Sequence, residues 1–119
     1  MARVLVVDDA AFMRMTLQQA LEAHGHIMIG EAEDGVEAIK KFAELKPDVV
    51  ILDISMPQMN GLETLKRIRI LSPDAKVIIC SAIGYQGMLA EAIELGASDF
   101  IVKPFTAMQL AEAIDKIMV

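Results

Sequence analysis

Short runs of Val, Ile and Leu alternate along this chain with longer segments whose apolar residues recur at helical spacing. Such alternation is typical of a parallel sheet whose strands are connected by helices. The predicted strands are residues 3–7, 27–31, 49–53, 76–81 and 99–103, and the predicted helices are residues 11–24, 36–45, 62–71, 86–95 and 106–118. The first, third and fourth strands are apolar on both faces, which predicts helices on both sides of the sheet.

Local signals mark the ends of the predicted helices. Gly25 and Gly96 stand where left-handed caps would fall, Pro47 and Pro73 block continuation of a helix, and Thr106 can open one. These signals support the boundaries proposed from periodicity.

The segment before the third helix is predicted to be a turn. Asn60–Gly61 is interpreted as a turn with a positive φ, and Pro57 is expected to stiffen the same loop. The nine methionines, including Met56 and Met59 in this loop, are interpreted mainly as packing residues.

The length of 119 residues leaves room for one domain, which we expect to span residues 1–119. Right-handed crossovers with one reversal predict a doubly wound, five-stranded α/β sheet of order 2-1-3-4-5. The composition of the chain, 55% hydrophobic but only 4% aromatic, predicts a core of aliphatic side chains. Folds of this kind place their sites at the carboxyl ends of the strands.

Charge and composition narrow the expected partners and location. A net charge of −6, with 11 basic and 17 acidic residues, argues against a nucleic-acid surface. No apolar run approaches the roughly 20 residues of a membrane span, and Asp8 and Asp9 end the first run too early for a signal peptide. We therefore expect a cytoplasmic protein without a membrane partner. The single cysteine, Cys80, permits no internal disulfide.

Polar side chains occur where four of the predicted strands end. Asp8 and Asp9 follow strand 1, while Asp53, Ser81 and Lys103 end strands 3, 4 and 5. Strands 1, 3, 4 and 5 are neighbours in the proposed order, so these side chains should surround one crevice. Strand 2 lies at the edge and is expected to contribute less.

Three neighbouring carboxylates repel one another unless a cation intervenes. An open crevice with oxygen ligands suits Mg²⁺, with Mn²⁺ as an alternative, and Lys103 adds a further positive charge. Any one of these aspartates could simply cap a helix or end a strand. Taken together, however, charged side chains at the ends of two apolar strands lower the stability of the fold unless they serve a function. This favours a functional site.

Four segments resemble the receiver domains of bacterial two-component response regulators. They are VLVVDDAAFMR (4–14), ILDISMPQMNGLE (51–63), SA (81–82) and FIVKPF (100–105). The resemblance covers essentially the whole chain, and the run DDAAFMRM is similar to CheY-type chemotaxis regulators. It implies a flavodoxin-like (βα)5 fold.

The resemblance assigns roles around the crevice. It implies that Asp53 is the phosphoacceptor and nucleophile and that Asp9 binds the metal directly. Asp8 would bind the metal through a water molecule, and Ser55 would supply a backbone carbonyl. From the residues alone, Asp53, Asp8 and Asp9 remain equal candidates for the acceptor.

Further roles concern phosphate contacts and signalling. By resemblance, Ser81 and Lys103 contact the phosphoryl oxygens, and a cis peptide at Lys103–Pro104 aims the ammonium, although a trans bond is commoner. Phe100 would turn inward as a switch when Ser81 moves, against the alternative of plain packing. Ile83 lies where the family flanks the hydrolytic water, so we expect Ile83→Glu to accelerate loss of phosphate.

The resemblance implies a stand-alone regulator that catalyses only its own phosphorylation and dephosphorylation. A histidine kinase of the chemotaxis type would phosphorylate it, and the face formed by helix 4, strand 5 and helix 5 would bind the flagellar motor switch to control flagellar rotation. A phosphatase is a further expected partner. The alternatives are a phosphorelay intermediate, a regulator outside chemotaxis, or a Mg²⁺-dependent phosphohydrolase. A flavodoxin-like cofactor binder is disfavoured because no phosphate-cradling glycine loop is present.

Overall fold

The computed structural model describes residues 1–55 and 60–119. Pro57, Met56 and Met59, for which the sequence made predictions, lie outside the described residues. The elements are β1 (Arg3–Val7), α1 (Ala11–Ala23), β2 (Ile27–Ala32), α2 (Gly35–Leu45), β3 (Val49–Asp53), α3 (Gly61–Leu71), β4 (Lys76–Ser81), α4 (Gln86–Glu94), β5 (Asp99–Val102) and α5 (Ala107–Met118). The predicted elements are all present, and their ends agree to within one residue.

The strands form one parallel sheet in the order β2-β1-β3-β4-β5. This confirms the order predicted from right-handed crossovers. The reversal between β1 and β3 opens a crevice at the carboxyl ends of these two strands. The sheet therefore directs attention to the residues that follow β1 and β3.

Two hydrophobic clusters cover the two faces of the sheet. One cluster packs α2, α3 and α4 against alternate residues of the strands, among them Leu5, Leu52 and Ile79. The other packs α1 and α5 against the residues between, among them Val6, Ile51 and Cys80. Because both faces are covered, the central strand β3 is buried along its whole length. The fold is the predicted doubly wound, flavodoxin-like arrangement.

Most of the predicted helix-end signals act as expected. Gly25 and Gly96 adopt positive φ angles of 81° and 97°. Thr106 caps α5, where its hydroxyl accepts from the backbone of Gln109 and the Gln109 side chain accepts from the backbone of Thr106. Within the described residues, none of the helices is both long and apolar enough to cross a membrane.

The predicted positive-φ turn at Asn60–Gly61 is wrong. Asn60 has a φ of −84° and caps α3 by accepting a hydrogen bond from the backbone of Glu63. Gly61 is needed for another reason, because a Cβ there would lie 2.8 Å from the Cα of Ile54 and 3.1 Å from the carbonyl oxygen of Asp53. The glycine lets α3 begin directly against the end of β3.

Candidate functional site

Three predicted site residues meet at the carboxyl end of the sheet. The Lys103 ammonium, just beyond β5, lies 2.6 Å from Asp53 Oδ2 and 3.3 Å from Asp8 Oδ2. Asp8 and Asp53 are only 1% and 3% exposed. The peptide between Lys103 and Pro104 is cis, as the resemblance implied. The sheet therefore joins one ammonium and two buried carboxylates in a single cluster.

Asp8 is held through both its backbone and its side chain. Its amide donates to Ala32 O at 3.0 Å, and its Oδ1 accepts from the amide of Ala10 at 2.9 Å. Its carbonyl oxygen accepts from Nη1 of Arg14 at 2.7 Å. With the contact from Lys103 to Oδ2, each polar atom of Asp8 has a partner.

Asp53 accepts several hydrogen bonds that favour its charged form. Oδ1 accepts from the amide of Ser55 at 2.7 Å and from its hydroxyl at 2.6 Å, while Oδ2 accepts from Lys103. Burial alone would raise the pKa of Asp53, but the bonds from Lys103 and Ser55 outweigh it and lower the pKa. Asp53 is therefore ionised at neutral pH.

The pKa values of the two groups beside Asp53, the Asp8 carboxylate and the Lys103 ammonium, are both raised, but for different reasons. Burial raises the pKa of Asp8, because the bonds from Ala10 and Lys103 do not fully offset the loss of water and the Asp53 charge adds repulsion. Burial alone would lower the pKa of Lys103, but the hydrogen bond and charge of Asp53 outweigh it and raise the pKa. Lys103 therefore stays charged, while the negative charge of Asp8 is only partly compensated.

The remaining predicted residues lie around this cluster. Asp9 is exposed beside Asp8. Ser81 is buried at the end of β4, and its hydroxyl donates to the carbonyl of Ala82 at 3.1 Å. Phe100 on β5 is 41% exposed, and Ile83 is 73% exposed. The structure thus joins Asp8, Asp53, Ser55 and Lys103 directly, whereas the contacts found for Ser81 and Phe100 do not reach Asp53.

The donor set fits a hard divalent cation. The buried carboxylates of Asp8 and Asp53, with Asp9 next to Asp8 in the chain, supply the oxygen ligands that Mg²⁺ prefers. Burial raises the pKa of Asp8, so a cation bound beside this carboxylate would stabilise its charged form. Among residues 1–55 and 60–119, however, no three Asp, Glu, His or Cys side chains are grouped as metal ligands. Binding through three of these carboxylates would therefore require their side chains to rearrange.

The sequence interpretation missed the contribution of Arg14 and of strand β2. Arg14 Nε lies 2.5 Å from Glu31 Oε1, and this pair connects the end of β2 to Asp8. The available signal was a charged residue on the apolar face of α1, since Arg14 precedes the buried Leu17 and Leu21 at helical spacing. Strand β2 therefore contributes more to the site than its edge position suggested.

Comparison with known proteins gives a consistent family assignment. The protein-family model for the response regulator receiver domain matches residues 4–115. The chain is 53% identical to the chemotaxis protein CheY of Thermotoga maritima, over 97% of this chain and 96% of that protein. It is 49% identical to CheY of Bacillus subtilis, over 96% and 95% of the two chains.

Solved structures agree with this assignment. The CheX–CheY–BeF3–Mg²⁺ complex of Borrelia burgdorferi contains a chain that matches with a TM-score of 0.91 and 34% identity, over 98% of this chain and 89% of that one. The response regulator domain of Thermotoga maritima CheB matches with a TM-score of 0.82 and 44% identity, over 98% and 92%. The chain therefore belongs to the response regulator receiver family, and it is similar to CheY-type receivers along nearly its whole length.

Proposed function

We propose that Asp53 is the phosphoacceptor and that a histidine kinase phosphorylates it in the presence of Mg²⁺. The observation that supports this most strongly is a buried carboxylate kept ionised by Lys103 and Ser55 at the centre of the sheet. A nucleophilic carboxylate must be anionic, and the bonds from Lys103 and Ser55 favour the charged form of Asp53. The family resemblance, rather than the pKa, supports Asp53 over Asp8 as the acceptor.

In the proposed reaction, an Asp53 carboxylate oxygen attacks the phosphorus of a phosphohistidine. The new O–P bond forms as the N–P bond breaks, and the imidazole leaves with the electron pair and takes up a proton. Lys103 would exchange its bond to Asp53 for one to a phosphoryl oxygen. The Ser81 hydroxyl would likewise exchange its bond to Ala82 for a phosphoryl oxygen.

Asp8, Asp9, Asp53 and the carbonyl of Ser55 are the proposed metal ligands, with Asp8 acting through a water molecule. When bound, Mg²⁺ supplies charge neutralisation on the transferring phosphoryl group. Since the cluster already holds an ammonium, the metal and Lys103 would share the neutralisation of the phosphoryl oxygens. We accordingly expect phosphorylation to require both.

Phosphorylation would alter the surface formed by α4, β5 and α5. A phosphoryl group adds about 1.5 to 2 negative charges, enough to draw the Ser81 hydroxyl toward it. Ser81 pairs with Val102 across the sheet, and its carbonyl accepts from the amide of Lys103 at 2.7 Å, so its movement acts on β5. Phe100 on the same strand has an exposed ring that could then turn inward.

The proposed downstream partner is the flagellar motor switch. Similarity to CheY proteins along nearly their whole length supports a chemotaxis role for this face. The Borrelia burgdorferi complex makes a CheX-type protein a second candidate. A regulator outside chemotaxis, or a phosphorelay intermediate, is the alternative, and the name of one relative with 49% identity, Protein CcdB of Bacillus subtilis, states no chemotaxis role.

Intact-mass measurement after incubation with acetyl phosphate tests the phosphoacceptor. One Mg²⁺-dependent phosphoryl adduct per chain is expected in the wild type and none in Asp53→Asn. An adduct that persists in Asp53→Asn would overturn the assignment. Rapid release of phosphate from small phosphoesters, without an accumulating adduct, would favour a phosphohydrolase instead.

Two further measurements test the pathway. The phosphorylated chain should bind a purified flagellar motor switch protein more tightly than the unphosphorylated chain. The wild-type chain, expressed in a Bacillus subtilis strain lacking CheY, should restore swarming, whereas Asp53→Asn should not. Normal phosphorylation without either effect would favour the regulator outside chemotaxis.

A further inference from the structure

A series of polar contacts connects α2 to Asp8 through residues that the proposed mechanism does not use. Lys41 Nζ donates to the carbonyl of Glu31, and Glu31 Oε1 accepts from Nε of Arg14 at 2.5 Å. Arg14 Nη1 then donates to the carbonyl oxygen of Asp8 at 2.7 Å. The end of β2 is thereby tied to the end of β1.

Arg14 is well suited to hold a fixed position. Its side chain is only 13% exposed, although it carries a full charge, and it lies on the face of α1 that also buries Leu17 and Leu21. A planar guanidinium that bonds two acceptors from different elements loses little further freedom. Hydrogen bonds from a charged donor are also stronger than those between neutral groups.

The carbonyl that Arg14 binds belongs to the peptide between Asp8 and Asp9. Because a peptide unit is planar, fixing the oxygen of Asp8 also fixes the amide of Asp9. Arg14 therefore helps to orient the backbone of two proposed metal ligands, together with the bond from the amide of Asp8 to Ala32 O. The contacts of Asp8 with Ala10 and Lys103 act on its carboxylate instead.

We propose that Arg14 is a positioning residue that orients the Asp8–Asp9 peptide and so sets the affinity of the site for Mg²⁺, with Glu31 fixing the guanidinium. The inference rests on the metal site of the proposed function. Arg14 touches neither metal nor phosphate in this role and acts only through the two aspartates.

Calorimetric titration of Mg²⁺ into Arg14→Met, without any phosphodonor, tests this role. We expect the dissociation constant for Mg²⁺ to rise about tenfold, as when an outer partner of a metal ligand is removed. At saturating Mg²⁺, the rate of phosphorylation by acetyl phosphate should return to within about twofold of wild type, because the reacting groups are intact. Arg14→Lys, which retains one charged donor, should recover part of the affinity.

Arg69→Met is the matched control. Arg69 also lies on a helix and donates to backbone carbonyls, those of Ala75 and Gly96, but at the opposite end of the sheet. Its loss should lower stability and leave the dissociation constant for Mg²⁺ unchanged. An equal loss of Mg²⁺ affinity in both arginine variants would mean a general structural effect and would overturn the inference.

The possible failures are distinguishable. If the wild type neither binds Mg²⁺ nor becomes phosphorylated, the proposed function is wrong and this inference falls with it. If the wild type does both and a folded Arg14→Met binds Mg²⁺ equally well, the inference alone is wrong. If Arg14→Met does not fold, Glu31→Ala replaces it: weaker Mg²⁺ binding supports the role, and wild-type affinity overturns it.

Discussion

Replacement of Asp8 by asparagine should make the metal-free protein more stable while weakening its binding of Mg²⁺. Asp8 is almost fully buried and its pKa is raised by burial, so its charge destabilises the fold at neutral pH. Asparagine removes that charge but keeps an oxygen that can accept from the amide of Ala10. Stability and metal binding are thus expected to oppose each other at this position.

The expected size of the effect follows from the distances in the cluster. Asp8 Oδ2 and Asp53 Oδ2 lie 3.3 Å and 2.6 Å from the same ammonium. They are therefore at most about 5.9 Å apart, and at an effective dielectric constant of 20 they repel by about 3 kcal/mol. The same treatment gives an attraction of Asp8 to Lys103 of about 5 kcal/mol, against a desolvation penalty of about 4 kcal/mol. The balance favours Asp8→Asn by about 1 to 2 kcal/mol.

Urea unfolding in buffer with EDTA at pH 7 measures this difference. We expect a higher free energy of unfolding for Asp8→Asn and a melting temperature about 4 °C higher for each kcal/mol gained. Saturating Mg²⁺ should narrow or reverse the gap, because metal binding stabilises the wild type more. Asp9→Asn is the control: because Asp9 is exposed, its replacement should change the free energy of unfolding in metal-free buffer less than Asp8→Asn does.

The pH dependence provides a second check. The folded pKa of Asp8 lies above its ordinary value of 3.8, so the cost of its charge is present at neutral pH and disappears as the group is protonated. The stability advantage of Asp8→Asn should accordingly shrink as the pH falls from 7 toward 4. A variant that is less stable than wild type in metal-free buffer at pH 7, or an advantage that grows on acidification, would refute the electrostatic reasoning.

Three further changes test other parts of the structure. Ile83→Glu should accelerate the loss of phosphate from Asp53 by offering a polar group to the attacking water, and unchanged or slower phosphate release would contradict this. Lys103→Met should cost about 3 kcal/mol of metal-free stability at pH 7 by leaving two buried carboxylates unpaired; urea unfolding should show partial recovery at pH 5, and no loss at pH 7 would contradict it. Gly61→Ala should destabilise by about 1 to 3 kcal/mol through overpacking against β3. Gly87→Ala, where a Cβ meets nothing within 4 Å, should instead stabilise by about 0.5 kcal/mol, and equal effects of the two glycine substitutions in urea unfolding would argue against the steric explanation.

Much of the fold follows from periodicity in the sequence. The alternation of β-branched runs with helical segments predicts the strand order and each helix and strand found in residues 1–55 and 60–119, because handedness and burial leave few other arrangements. The same pattern places Asp8, Asp53 and Lys103 at neighbouring strand ends, where the structure brings them into contact. These are consequences of local preference and sheet geometry, which the sequence encodes directly.

Other features depend on contacts between residues far apart in the chain. The pattern Asn60–Gly61 resembles a turn, yet the glycine is required because α3 begins against the backbone of Ile54. Likewise, the apolar face of α1 marks Arg14 as unusual, but its partners, Glu31 and the carbonyl of Asp8, belong to other parts of the chain. Such contacts arise only when separate elements pack.

The sequence by itself determined the architecture and the set of acidic and basic residues at the end of the sheet. Only the tertiary structure decided how charge is distributed among them. Lys103 and Ser55 hold Asp53 ionised, whereas burial opposes the charge of Asp8. The reason is physical: a carboxylate's pKa depends on the water it loses and the donors it gains, and both are fixed by packing in three dimensions.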